Sequence, residues 1–205
     1  MNIASSQELN RAVIADRAST IRRSLNNRSI VLVGIMGVGK STIGKRLSQY
    51  LDIPFVDADK EIEKAAGMSV TDIFDQFGEE AFRTGEKKVI RRLLDEGQKI
   101  LATGGGAFMN EETRDEIQER GVSIWLKADL DVLMKRVQRR SDRPLLKTED
   151  PEATMKALLD ERNPVYALAD LEIESRTVSR DVIASEVVDL LAEALPDIAE
   201  ARGWK

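Results

Sequence analysis

The segment 34–41, which reads GIMGVGKS, restricts the fold of this chain more than any other part of the sequence. It matches the pattern G-x-x-x-x-G-K-[ST], in which glycines precede a lysine and a hydroxyl residue. The apolar run 29–33 comes directly before it, and Ile43, Leu47 and Leu51 follow at helical spacing. From average composition, such a match arises by chance in on the order of 1% of chains of this length. The segment therefore predicts a buried strand, a glycine-rich loop and an amphipathic helix, in that order.

The residue types of this loop suit the binding of a nucleoside triphosphate. Glycine permits backbone conformations that turn successive N–H groups inward, and such a nest at a helix N-terminus holds phosphate oxygens. A lysine at position 40 places a cation between the β- and γ-phosphates, and a serine at position 41 offers its hydroxyl to Mg²⁺. The predicted ATP-binding residues are Gly37, Val38, Gly39, Lys40, Ser41 and Thr42. These features predict a phosphotransferase that moves the γ-phosphoryl group of ATP to a small acceptor.

Short apolar runs alternate with segments of helical periodicity along the rest of the chain. The runs predict strands at 29–33, 53–56, 99–102, 122–126 and 171–174. Strands separated by helices indicate an α/β fold, here a five-stranded parallel sheet with helices on both faces.

The sequence also suggests how the chain is divided. The segment 58–95 is too long for one crossover helix and predicts an inserted helical lobe, broken near Gly67 and Gly78. The kinase domain is expected to span 29–195. Residues 1–28 are expected to form a partly ordered extension outside the fold, and 196–205 a C-terminal tail.

Composition excludes several kinds of chemistry and several partners. The chain has no cysteine and no histidine, so disulfides, zinc–thiolate sites and a Ser-His-Asp triad are impossible. A net charge of −5 argues against binding to a nucleic-acid duplex. We also expect no membrane insertion, because no apolar run approaches the roughly 18–20 residues that cross a bilayer. Without a secretory signal, a cytoplasmic protein is expected.

Two carboxylates follow the second predicted strand. Asp57 and Asp59 are two residues apart, so in extended chain both would face the sheet edge at which α/β proteins bind ligands. One could hold Mg²⁺ through water, and the other could receive a substrate hydroxyl. Alternatively, Asp59 caps the helix that follows.

Glycines and arginines complete the set of candidate binding residues. Gly104, Gly105 and Gly106 end the third strand, where bare backbone can approach a polar ligand or form a structural turn. Arg83 lies in the inserted lobe, and Glu86 can brace it across one helical turn. An arginine-bearing loop at 139–150 is typical of a lid that closes over phosphates, and Arg162 lies on the helix after it.

The P-loop, the D-A-D of 57–59, the F-R of 82–83, the GGG of 104–106 and the R-P-L-L of 143–146 occur in this order. Together they resemble the shikimate kinases over roughly four-fifths of the chain. The resemblance implies a nucleoside-monophosphate-kinase-like fold with a substrate lobe and a lid. It also implies phosphorylation of the shikimate 3-hydroxyl by ATP and Mg²⁺, in the pathway to chorismate and the aromatic amino acids.

The resemblance assigns roles by position. Lys40 and Ser41 would serve ATP and Mg²⁺, Asp57 would lie near the metal, and Asp59 would bind the acceptor hydroxyl, with a possible role as base. Shikimate-binding positions fall on Arg83, Gly105 and Arg162, with Gly104 and Gly106 beside them. Arg143 corresponds to the lid arginine and Arg136 to the arginine that stacks on adenine.

Two other classes compete with this interpretation. A related kinase could act on gluconate or on a nucleoside monophosphate. The nucleoside monophosphate carries a phosphate of its own, and binding this second phosphate would require several arginines. A GTPase-type switch would carry N/T-K-x-D after a strand, and residues 126–129 read LKAD, without the first residue of that motif. We expect a monomer that binds shikimate and ATP.

Overall fold

A computed structural model of the chain describes residues 3–137 and 148–204, with side chains from residue 13 onward. In these ranges five apolar segments form a parallel sheet in the order β2-β3-β1-β4-β5. The strands are β1 (Ser29–Val33), β2 (Phe55–Asp57), β3 (Ile100–Ala102), β4 (Gly121–Lys127) and β5 (Leu171–Glu174). All residues of β1 are buried. Because successive side chains point to opposite faces, both faces of the sheet are covered there. The predicted fold class is confirmed.

Helices connect the strands of the sheet. They are α2 (Lys40–Leu51), α3 (Ala58–Ala66), α4 (Val70–Asp95), α5 (Glu111–Arg120), α6 (Leu130–Val137), α7 (Pro151–Tyr166) and α8 (Arg180–Ala201). Within the described residues no helix is long and apolar enough to cross a membrane.

The segment between β2 and β3 folds as two helices, as predicted. Helix α3 ends at Gly67, whose φ of 69° is in the left-handed region that favours glycine. Helix α4 begins after Ser69, which forms a reciprocal capping box with Asp72. Gly78, with φ 80° and ψ 172°, kinks α4. The two predicted breaks are therefore confirmed.

The N-terminal segment is not an extension outside the fold, and that expectation was wrong. Residues Ile3–Leu25 form helix α1, on which Ala18, Ile21 and Leu25 are buried in the hydrophobic core. Their spacing of three and four residues places them on one face of the helix, which packs against α8 and α2. Arg22 Nη1 also donates to the carbonyl oxygen of Leu51, at 2.7 Å.

The expected boundary at residue 195 is also absent from the structure. Helix α8 continues through Pro196 to Ala201, and Leu195 and Ala199 are both buried. Beyond the helix, the Trp204 ring lies against two guanidinium groups, 4.7 Å from that of Arg28 and 5.4 Å from that of Arg202. The end of the chain is thus packed on the domain instead of forming a separate tail.

Candidate active site

The P-loop connects the end of β1 to the start of α2 at the carboxyl edge of the sheet. Gly37 and Gly39 have φ angles of 81° and 110°, in the left-handed region that other residues rarely adopt. Gly39 directly precedes the first residue of α2. The loop therefore has the backbone geometry that aims N–H groups at an anion at a helix N-terminus.

Lys40 and Ser41 line a cavity of about 480 Å³. Lys40 Nζ donates to the carbonyl oxygens of Gly34 and Ile35, at 2.6 and 3.0 Å. Ser41 Oγ donates to Asp57 Oδ2 at 2.7 Å. The two residues that were predicted to hold Mg²⁺, Ser41 and Asp57, are therefore hydrogen-bonded to each other. The cavity is also lined by Gly37, Val38, Gly39, Thr42 and Arg136.

Asp57 and Asp59 both line this cavity, but not because the chain is extended through both. Asp57 ends β2, whereas α3 begins at Ala58, so Asp59 is the second residue of a helix. The proposal that Asp59 caps the helix is also wrong, since Asp57 occupies the N-cap position. In its helical position Asp59 borders a second cavity as well as the first.

The second cavity, of about 80 Å³, lies between α3, α4 and the glycines after β3. Arg83 faces it, and its Nη1 donates to Glu86 Oε2 at 2.7 Å, which confirms the predicted brace. Arg83 also donates to Glu79 Oε1, from Nε at 3.2 Å and from Nη2 at 2.9 Å. Burial lowers the pKa of Arg83, but the two carboxylates outweigh it and raise the pKa overall. Arg83 is therefore a firmly charged and oriented group.

Glu86 is almost fully buried beside Arg83. Burial raises the pKa of this carboxyl above its ordinary value, and Arg83 opposes that rise only in part. The position where a side chain would grow from Gly104 is 2.4 Å from Glu86 Oε1, and that of Gly106 is 2.4 Å from Arg83 Nη2. The packing of Glu86 and Arg83 therefore requires glycine at positions 104 and 106, whether or not these two glycines also contact a ligand.

Arg162 lines the second cavity from α7. It is 7% exposed, and its Nε and Nη1 atoms have no hydrogen-bond partner among the described residues. Buried guanidinium N–H groups are costly unless an acceptor pairs with them, so an anion in this cavity would satisfy them. Tyr166, one turn further along α7, donates to the carbonyl oxygen of Gly105, and burial raises its pKa.

Arg136, on α6, lines the larger cavity. Its Nη1 donates to Val38 O and to Ser175 Oγ, both at 2.9 Å, and its Nη2 donates to Arg176 O at 3.0 Å. Burial lowers its pKa. Arg143 and most of the expected lid, 139–150, lie outside the described residues.

Sequence reasoning missed the wall of the larger cavity that follows β5. This wall comprises Ser175, Arg176, Val178, Arg180 and Ile183. A signal was available, because ligands of parallel α/β sheets bind at the carboxyl ends of the strands, and β5 is such a strand. Tyr166 was missed as well, and a lone tyrosine on a helix carries no comparable signal.

The structure also bears on metal binding. Among the described residues, no group of three or more acidic side chains could hold a metal ion by itself. Mg²⁺ in proteins often takes one or two protein oxygens and completes its shell with water and substrate phosphates. The contact between Ser41 and Asp57 fits that kind of site, next to a phosphate-binding loop.

A phosphate-binding loop beside a second cavity that carries oriented arginines and a carboxylate defines this protein as a P-loop kinase of small molecules. A sequence model of the shikimate kinase family matches residues 36–192. A shikimate kinase from Bradyrhizobium diazoefficiens is 60% identical over 177 residues, 86% of each chain. One from Brucella canis is 53% identical over 179 residues, 87% of this chain and 90% of that protein. The chain belongs to the shikimate kinase family.

A solved structure shows the same similarity in three dimensions. A shikimate kinase from Acinetobacter baumannii, determined in complex with shikimate, aligns with a TM-score of 0.77 at 36% identity. The alignment covers 80% of this chain and 92% of that one. The family resemblance predicted from the motifs is therefore confirmed.

Proposed function

We propose that this protein transfers the γ-phosphoryl group of ATP to the 3-hydroxyl of shikimate, giving shikimate 3-phosphate and ADP. The observation that carries the proposal is the junction of the two cavities, which share Met36, Asp59 and Gly105 as lining residues. One cavity contains the P-loop and the other contains two arginines. A donor phosphate and an acceptor hydroxyl can meet at Asp59, which borders both.

On the nucleotide side, the P-loop amides and Lys40 would hold the β- and γ-phosphates. Lys40 Nζ would exchange the loop carbonyls that it now contacts for phosphate oxygens. Ser41 and Asp57 would hold Mg²⁺, the Ser41 hydroxyl directly and Asp57 through water. The metal would neutralise charge that develops on the transferred group. Arg136 lines this cavity, and it would stack on the adenine ring.

On the acceptor side, the shikimate carboxylate calls for a pair of guanidinium groups, because arginine grips a carboxylate through parallel N–H bonds. Arg83 and Arg162 both line the smaller cavity, and Arg162 has buried N–H groups to offer. The hydroxyl groups of shikimate would bind to polar backbone groups and to a carboxylate. Gly104, Gly105, Gly106 and Asp59 line the same cavity.

We infer that Asp59 acts mainly by orienting the 3-hydroxyl. In most analyses phosphoryl transfer passes through a loose transition state, so the attacking oxygen needs little deprotonation beforehand. An aspartate at the junction of the cavities can accept the hydroxyl proton in a hydrogen bond and aim the oxygen at the γ-phosphorus. Asp59 would take the proton late, as the bond between the 3-oxygen and the γ-phosphorus forms and the bond from that phosphorus to ADP breaks.

The remaining parts of the proposal rest on sequence. Arg143 in the segment 139–150 would close over the phosphates and exclude water once both substrates are bound. We further propose a cytoplasmic monomer that binds no nucleic acid, consistent with the net charge of −5.

The decisive experiment is ADP release in a coupled assay with shikimate, gluconate, AMP, CMP or no acceptor. Turnover should require shikimate and disappear in Lys40→Ala. Faster turnover with gluconate or a nucleoside monophosphate would support the alternative kinases, which the family match does not favour. ADP release that is independent of any acceptor would refute a phosphotransferase altogether.

A further inference from the structure

The carbonyl group of Val38, in the middle of the P-loop, receives two side-chain donors from outside the loop. Ser175 Oγ donates to it at 2.7 Å, and Arg136 Nη1 donates to it at 2.9 Å. Ser175 is 3% exposed. Two hydrogen bonds from distant parts of the chain therefore hold this carbonyl, and they fix the orientation of the peptide that joins Val38 to Gly39.

The direction of the serine bond is fixed by its surroundings. Arg136 Nη1 donates to Ser175 Oγ at 2.9 Å, so the hydroxyl accepts from the guanidinium and has its own proton to give to Val38 O. Ser175 N also donates to Lys127 O, which extends the pairing of β5 with β4 by one residue. The hydroxyl is therefore anchored to the sheet and not to a loose loop.

The peptide that joins Val38 to Gly39 is the one whose orientation these bonds set. A trans peptide is planar, so its C=O and N–H point in opposite directions. The Val38 carbonyl points to Ser175 and Arg136, so the Gly39 N–H points away from both of them. Gly39 has φ of 110° and no side chain, so the peptide has little intrinsic resistance to flipping. The two bonds to the Val38 carbonyl are therefore an external constraint on the direction of this N–H.

We propose that Ser175 is a positioning residue for the phosphates, which holds the Val38–Gly39 peptide in its anion-binding orientation. The inference rests on the proposed function, since it takes the larger cavity to be the ATP site. Without the hydroxyl, Arg136 alone would hold the carbonyl, and a larger fraction of molecules would have the carbonyl turned inward. Apparent affinity falls with the fraction of binding-competent molecules.

The test compares Ser175→Ala with Ser175→Thr, which keeps the hydroxyl, and with Ser123→Ala as a matched control. Ser123 is also a buried serine, 4% exposed, and its Oγ donates to Asp170 at 2.8 Å, on the same sheet but away from the P-loop. Calorimetry measures ADP affinity without shikimate, and inhibition kinetics measure Ki for tripolyphosphate, which has phosphates but no base. Thermal unfolding reports stability for every variant.

We expect Ser175→Ala to weaken ADP and tripolyphosphate equally, by about threefold to tenfold, the range for one hydrogen bond. Ser175→Thr should restore both values, and KM for shikimate should stay unchanged. Ser123→Ala should lower the unfolding midpoint without changing either affinity. The inference is overturned if Ser175→Ala binds both ligands like the wild type, or if it weakens ADP alone, since the residue would then act on the base. If the wild type binds no ADP, the proposed function fails instead.

Discussion

The substitution Gly106→Ala tests whether Arg83 recognises the acceptor, because it moves the guanidinium without removing any charge. The added methyl would lie 2.4 Å from Arg83 Nη2, 2.5 Å from Cζ and 2.6 Å from Nη1. Ordinary contacts begin near 3.4 Å, so the guanidinium must shift by about 1 Å. Gly106 itself has φ −99° and ψ −9°, which alanine adopts without strain.

A displacement of this size in a substrate-positioning group can cost on the order of 10²-fold. We therefore expect KM for shikimate to rise by about tenfold to a hundredfold in steady-state assays. KM for ATP should change by less than about twofold, because Gly106 lines the smaller cavity and not the P-loop cavity. Part of the shift would break the bond between Arg83 and Glu86, so a lower unfolding midpoint is also expected.

Gly85→Ala is the matched control, two residues after Arg83 on α4. A methyl at Gly85 would meet nothing within 4 Å, and alanine in a helix interior is better than glycine by roughly 0.5–1 kcal/mol. This variant should be slightly more stable and kinetically normal. The reasoning is refuted if Gly106→Ala keeps a normal KM for shikimate, or if KM for ATP rises in parallel.

Four further substitutions test the remaining assignments. Lys40→Ala should lower kcat by on the order of 10²–10³ with an unchanged circular dichroism spectrum, and a normal kcat would remove the P-loop from catalysis. Arg83→Lys should raise KM for shikimate far more than KM for ATP, because lysine lacks the planar fork; equal changes would contradict this. Asp59→Asn should keep shikimate affinity within roughly tenfold, about 1.4 kcal/mol, by calorimetry. A single-turnover rate more than about 10³-fold slower in that variant would favour a general base. Ile21→Ala should lower the free energy of unfolding by about 2–5 kcal/mol in urea with kcat unchanged, whereas full stability would place α1 outside the core.

The sheet and the P-loop could be predicted because their signals are local. Each strand is a short apolar run, and the loop is a contiguous pattern in which every glycine has a steric reason. The inserted lobe was also predictable, since Gly67 and Gly78 mark its breaks in the sequence itself. For the same reason the three-residue spacing of Arg83 and Glu86 was enough to predict their contact.

Helix α1 was not predictable as part of the fold, because its partner is far away in sequence. Among its described side chains, the buried ones are Ala18, Ile21 and Leu25, and the polar and charged residues between them are typical of a solvated segment. Only the presence of α8 and α2 alongside shows that this narrow apolar face is covered. Sequence spacing alone does not indicate which distant element packs against a segment of this kind.

Two features of the site depend on strand order and packing, which the sequence does not display. Ser175 reaches the P-loop only because β5 lies next to β4, and β4 lies next to β1. The glycines after β3 were expected to bring backbone close to a ligand. The structure adds a second reason, since the side chains of Glu86 and Arg83 occupy the space that larger residues would need at Gly104 and Gly106.

The packing of α1 on α8 has a consequence for how the protein is made. The ion pair of Arg17 with Asp189 joins positions 172 residues apart, so α1 leaves the ribosome long before its partner exists. At about 5–20 residues per second, roughly 10–35 seconds separate the two helices during synthesis. Throughout that interval α1 lacks the contacts with α8 that it has in the finished protein. A chain released before residue 180 would leave α1 without these contacts, which makes truncated products targets for chaperones and proteases.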